Sequence, residues 1–386
     1  MSSTNEMHTF GDNNILFQDV NARDINIITG HEENLEIREE KKIVAEHLAL
    51  SFNLLSKLQG RKLNSEEEKE DIDESEFDGI NWDDLLEAIE IGNCVLFIGQ
   101  DISSDGEGNS IHESFYKSIS QRKIEYDEKD GFFMPGADKQ IETKALSFYG
   151  KKFQKNNLET NEVLTKLAEI PFSLIVPVCP DDSMHQIFKK FNKKHSFLFY
   201  KPKEKQKIET PTVEKPVIYN LLGNAASDGK YIYTHEQFYN YINEDQESKL
   251  PLEIENKIKN VPLYLFIGID FNRWYNRLLL FTLNLYQNSE AYTFNSKKIN
   301  EYTQIFIGKQ FNILDIESKY NNFVTVLLKK TKRLGIGLSL FDTFIENTKN
   351  DLIQIKDDAK KSTSYIELAN ITERIESIHE MIGKLL

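Results

Sequence analysis

The chain has 386 residues, 39% hydrophobic and 28% charged, with 25 Phe and 16 Tyr: enough for two domains or one large domain with appendages, and too apolar for a disordered chain. Its 62 acidic against 47 basic residues leave a formal net charge of -15, which disfavours general nucleic-acid binding unless a local basic patch overrides it. Two cysteines, Cys94 and Cys179, exclude a disulfide scaffold and a Cys-rich zinc site, and no apolar run approaches the roughly 20 residues of a membrane helix.

The opening MSSTNEMHTFGDNN has neither a basic start nor an apolar core, so no secretory signal is expected and the protein is expected in the cytoplasm. Period-two alternation of Ile15, Phe17, Val20, Ile25 and Ile27 around an Asn-Ala-Arg-Asp turn predicts a small β-hairpin. Glu33 to Leu58 then reads as an amphipathic helix. Together they make an assembly segment over 1–60. Residues 61–79 hold the run SEEEKEDIDESEFD, a solvated acidic linker by its charge.

From 80 to 330 the chain has α/β texture. Apolar runs recur at Cys94–Gly99, Ser173–Val178, Val217–Gly223, Tyr264–Ile269 and Thr303–Gly308, each read as a strand. Helical stretches fall at His112–Arg122, Asn161–Glu169 and Trp274–Tyr286. Alternation of this kind predicts a Rossmann-like parallel sheet with helices on both faces. The basic run Lys189–Lys207, interleaved with Phe191, Phe197, Phe199 and Tyr200, reads as a lysine-rich surface hairpin or insertion, with single-strand binding as the competing reading. Residues 331–386 carry no proline and an apolar 3–4 spacing, predicting a helical module of two or three helices that serves partners or assembly. No phosphate loop of the GxxxxGK[ST] kind and no metal site is expected.

Gly99, Gln100, Asp101 and Ser103 follow the first strand, where α/β folds place phosphates on backbone amides. Taken with IPFSLIVPVCPDDSMHQIF, KPVIYNLLGNAASDGKYIYTHEQFYNYI, VPLYLFIGIDFNRWYNRLLL and IFIGKQFNILDIESKYNNFVTVLL in order, this stretch resembles the sirtuin-like domains of prokaryotic conflict and anti-phage proteins. The resemblance implies an NAD pocket in which an Asn positions the ribose and water, a His acts as general base, and a Gly-rich loop holds the pyrophosphate. Here the Asn position carries Cys179 and the His position Leu222, and the loop's second glycine is Asp101. A thiol lacks the carboxamide's donor and acceptor pair, and leucine has no proton to exchange. Asp101 would repel a pyrophosphate by on the order of 1 kcal/mol. Asp181 and Gly223 survive as markers of the fold, and Gly268 joins the residues of the same degenerate nucleotide pocket.

The resemblance thus implies a degenerate pocket with no catalytic residues and no cofactor. Its work would be as a scaffold or interaction subunit, in a homo- or hetero-oligomer with other protein subunits of a bacterial defence system, without membrane or nucleic acid. The alternatives are an NAD hydrolase with an atypical site, using Cys179, His185 or His235, and a sensor that binds NAD or ADP-ribose without turnover.

Overall fold

The computed structural model describes residues 35–62, 74–100, 102, 125–127, 130, 132–134, 161–202, 204, 206–225, 230–245, 249–285, 289–295, 297–336 and 340–385. The hairpin expected before residue 31, the helix expected at His112–Arg122, and Asp101 and Ser103 lie outside them. The chain divides into two compact units, Asp71–Leu340 and a second built from residues before 71 and after 340.

The larger unit is a seven-stranded sheet in the order β11-β10-β9-β1-β4-β6-β5, every pair parallel. Its strands are β1 (Cys94–Ile98), β4 (Leu174–Pro177), β5 (Ser196–Phe199), β6 (Val217–Asn220), β9 (Leu263–Ile267), β10 (Glu290–Phe294) and β11 (Ile313–Asp315). Central strands β1 and β9 are buried along their whole length, as continuous apolar runs require when helices cover both faces. Alternate residues feed separate cores. Cys94, Leu96 and Ile98 face one layer with helices Trp82–Glu90, Glu162–Glu169, Ser183–Lys190 and Tyr320–Arg333. Val95 and Phe97 face the other, with His235–Asn243, Leu252–Asn260, Trp274–Thr282 and Glu301–Phe311. Two short antiparallel pairs complete the unit: β2 (Glu125–Asp127) with β3 (Phe132–Met134), and β7 (Gly223–Asn224) with β8 (Lys230–Tyr231).

The expected strand at Thr303–Gly308 is instead part of the helix Glu301–Phe311. Thr303, Ile307 and Phe311 are buried four residues apart while Ile305 and Phe306 stay exposed, a helical stripe and not a run covered on both faces. Asn300 caps the helix by accepting from the Thr303 amide, and Asn312, in the left-handed region at φ 54°, ends it. The closing strand follows as β11. The basic run is not a hairpin: its first residues end the helix Ser183–Lys190 and Ser196–Phe199 is the edge strand β5. Within the acidic stretch, Glu74–Phe77 forms a 3-10 turn whose Phe77 is fully buried against Trp82 and Phe323.

In the smaller unit, helix Leu35–Lys62 packs on helix Tyr365–Gly383. Val44, Leu48, Phe52, Leu55 and Leu58 form the buried stripe of the first, and Leu368, Ile371, Ile375, Ile378 and Ile382 that of the second. Two helices, the other being Leu340–Lys361, occupy the C-terminal stretch. Among the described residues no helix is long and apolar enough to cross a membrane.

Candidate functional site at the sheet's switch point

From β1 the chain passes to β4, then to the edge strand β5 and back to β6 between them, and then crosses to lay β9 on the other side of β1. The strand order therefore reverses between β1 and β9, and the carboxyl ends of strands at such a reversal leave a crevice. Gly99 and Gly268 end these two strands. The Gly99 amide donates to the Ile267 carbonyl at 2.8 Å, and a Cβ on Gly99 would lie 1.8 Å from the Gly268 oxygen. Gly268 adopts φ +70°, and a Cβ there would meet Ile102 at 2.6 Å. Only glycine fits either position.

Beyond the glycines the side chains are polar. Gln100 Nε2 donates to the Tyr275 hydroxyl, which also accepts from an Arg273 guanidinium nitrogen at 2.9 Å. Arg273 Nε lies 3.6 Å from Asp270 Oδ2, and both side chains are largely buried. Asp270 shapes the loop itself: Oδ1 accepts from the Asn272 amide, and the Asp270 carbonyl accepts from Asn276 Nδ2. An arginine is thus held at the entrance to helix Trp274–Thr282 by a carboxylate and a phenol.

The β2–β3 pair packs beside this network through Phe132. Phe132 is buried between Tyr275 (5.0 Å between ring centroids), His235 (4.7 Å) and Phe238 (5.5 Å). His235 opens helix His235–Asn243, whose start is fixed by a capping box between Thr234 and Gln237. Asp130 accepts from Trp274 Nε1 at 3.0 Å and lies 3.4 Å from His235 Nε2.

The ends of β4 and β6 differ. Cys179 is 2% exposed and Leu222 5% exposed, and Leu222 belongs to the apolar core with Val178, Leu221 and Phe238. Asp181 is buried and structural: Oδ1 accepts from the Ser183 amide at the start of helix Ser183–Lys190, and its carbonyl accepts from Asn220 Nδ2. Burial pushes the Asp182 carboxyl above its ordinary range, with Asp181 adding to the effect. Gly223 opens β7, and the Leu222 carbonyl accepts from the Ile232 amide. A separate cleft of about 220 Å³ lies at the ends of β10 and β11, between Asn295, Lys297, Lys298 and Lys319.

No family model matches the chain, and no curated protein does. Its structural neighbours are sirtuin enzymes. A Sir2 mutant with a p53 peptide and NAD is 10% identical over 66% of this chain and 100% of that one, at a TM-score of 0.32. Sir2 bound to acetylated peptide gives 10%, 67%, 100% and 0.31. A structure on the basis of sirtuin substrate affinity gives 14%, 64%, 96% and 0.32.

Of the residues singled out from the sequence, the structure brings Gly99, Gln100 and Gly268 together at the switch point, and Cys179, Asp181, Leu222 and Gly223 at the neighbouring strand ends. His235 joins the first group through Phe132. His185 lies elsewhere, its Nδ1 2.7 Å from His195 Nε2 and its ring stacked on Phe197. Sequence reasoning missed Arg273, Tyr275, Asp270 and Asp130. The one local signal was Asp270 followed by Asn272, a turn-forming pair directly after an apolar strand.

Proposed function

We propose that this chain carries a sirtuin-like domain that has lost NAD cleavage and works through protein partners, as a scaffold or interaction subunit of a bacterial antiviral defence system. The observation that carries the reading is the burial of Cys179 and Leu222. These positions, given by the resemblance to the Asn and the His, hold a thiol and an isobutyl group, packed away from solvent. Neither can orient a water or take its proton. The test is a proton NMR time course of NAD with the purified chain. Unchanged NAD signals are expected, and release of nicotinamide overturns the reading.

A second reading, a sensor that binds NAD or an ADP-ribose derivative without turnover, is favoured by the arginine held at the switch point. Arg273 with Gln100 supplies a cation and an amide where a phosphate-bearing ligand would enter. Under it, NAD or ADP-ribose raises the melting temperature and Arg273→Ala abolishes the rise, whereas the scaffold reading predicts no ligand-dependent shift.

A further inference from the structure

We infer that Asp127, Asp130 and His235 bind one divalent cation of the first transition row, of the Zn²⁺ or Mn²⁺ type. One ligand atom from each of the three lies within 4.8 Å of the other two. The separation of His235 Nε2 from Asp130 Oδ2, 3.4 Å, is long for a charge-assisted hydrogen bond. It equals the edge of a tetrahedron whose vertices stand about 2.1 Å from a central ion, the usual metal–imidazole and metal–carboxylate distance. Two carboxylates and a neutral imidazole carry a charge opposite and equal to that of the ion. An oxygen–nitrogen set without sulfur suits Zn²⁺, Mn²⁺, Fe²⁺ or Co²⁺.

The surroundings orient the ligands as metal sites do. Trp274 Nε1 donates to the same Oδ2 of Asp130, which fixes the carboxylate from outside. The Asp130 amide donates to Asp127 Oδ1, which ties the carboxylate at the end of β2 to the backbone of the other ligand. His235 is anchored as the first residue of a capped helix. The side chains of His235 and Asp130 are 32% and 19% exposed, so an ion can enter and water can complete its shell.

The ligands come from two segments 105 residues apart. One is a ribbon with three-residue strands, too short to be stable by itself in water. An ion joining its turn to the helix start clips the ribbon onto the domain, so that metal affinity becomes folding stability of the ribbon. The sequence pointed to no metal site because neither segment alone holds more than two ligands.

The test uses the full untagged chain, stripped with chelator and titrated calorimetrically with ZnCl₂ and with MnCl₂. One equivalent is expected to bind, with a rise in melting temperature. Asp127→Asn, Asp130→Asn and His235→Ala each weaken binding at least about tenfold, and Trp274→Phe weakens it with all three ligands present. His195→Ala, at the distant histidine pair, retains it. Absence of stoichiometric binding, or equal affinity in wild type and Asp127→Asn, overturns the proposal. Asp127→Asn, at the partly exposed end of β2, decides the matter if the other variants fail to fold. The NAD experiments do not bear on this result.

Discussion

Two neighbouring stretches of one sheet edge have opposite character. At the ends of β1 and β9 the backbones nearly touch, and the side chains beyond them, Gln100, Asp270, Arg273 and Tyr275, form a polar network. At the ends of β4 and β6 the corresponding space is filled: Cys179 and Leu222 are buried, and Asp181 is used up in starting a helix. The first stretch depends on backbone proximity and the second on side-chain packing. The difference shows how one fold places a polar network at its topological reversal and apolar packing at the adjacent strand ends.

Substitutions separate the two. Gly99→Ala drives a methyl into the Gly268 carbonyl, which cannot rotate away as a side chain can. A loss of about 4 kcal/mol or more is expected in urea unfolding, at the exceptional end for a single substitution. Ordinary stability in that variant would mean that the two strand ends are not in contact. On the closed side, Leu222→Ala is expected to cost about 3 kcal/mol by transfer and cavity terms, leaving any ligand-dependent melting shift unchanged. A cost below about 1 kcal/mol would place Leu222 outside the core.

Smaller effects sharpen the contrast. Tyr275→Phe removes the oxygen that accepts from both Gln100 and Arg273, for about 1 kcal/mol, and alters any ligand-dependent shift. A further effect is on pH dependence. Burial, then His195 and Lys189, push His185 down to about 4 from the usual 6.5. His195 is also lowered, first by burial and then by Lys193 and Lys189. The pair is therefore neutral in the fold and takes up protons more readily when unfolded. Its contribution is full above about pH 6.5 and is lost as pH falls toward 4. The slope of unfolding free energy across this window should flatten in His185→Gln, and an unchanged slope would mean the pair does not titrate with folding.

Much of the scaffold was legible because burial on both faces forces continuous apolar runs. The runs at Cys94, Ser173, Val217 and Tyr264 are all strands of the sheet. The run at Thr303 misled for the same reason, since a helix stripe of Thr303, Ile307 and Phe311 also concentrates apolar residues. Strands β5, β10 and β11 were not picked out: β5 sits inside a lysine run and β11 has only three residues. The helix at the start of the described chain and the two at its end were each readable from spacing, but their union in one unit was not.

By itself the sequence determined the α/β class, the glycines after β1 and β9, and the presence of a thiol at Cys179 after the second apolar run and an isobutyl group at Leu222 in the third. These are matters of residue type and short period, and both act within a few positions. Only the tertiary structure decided that Gln100 meets Tyr275 across 175 residues, that Asp130 meets His235 across 105, and that Gly99 abuts Gly268. Such meetings depend on which strand each crossover lays beside which, and that choice is made by packing the two helix layers onto the finished sheet, not by any local pattern.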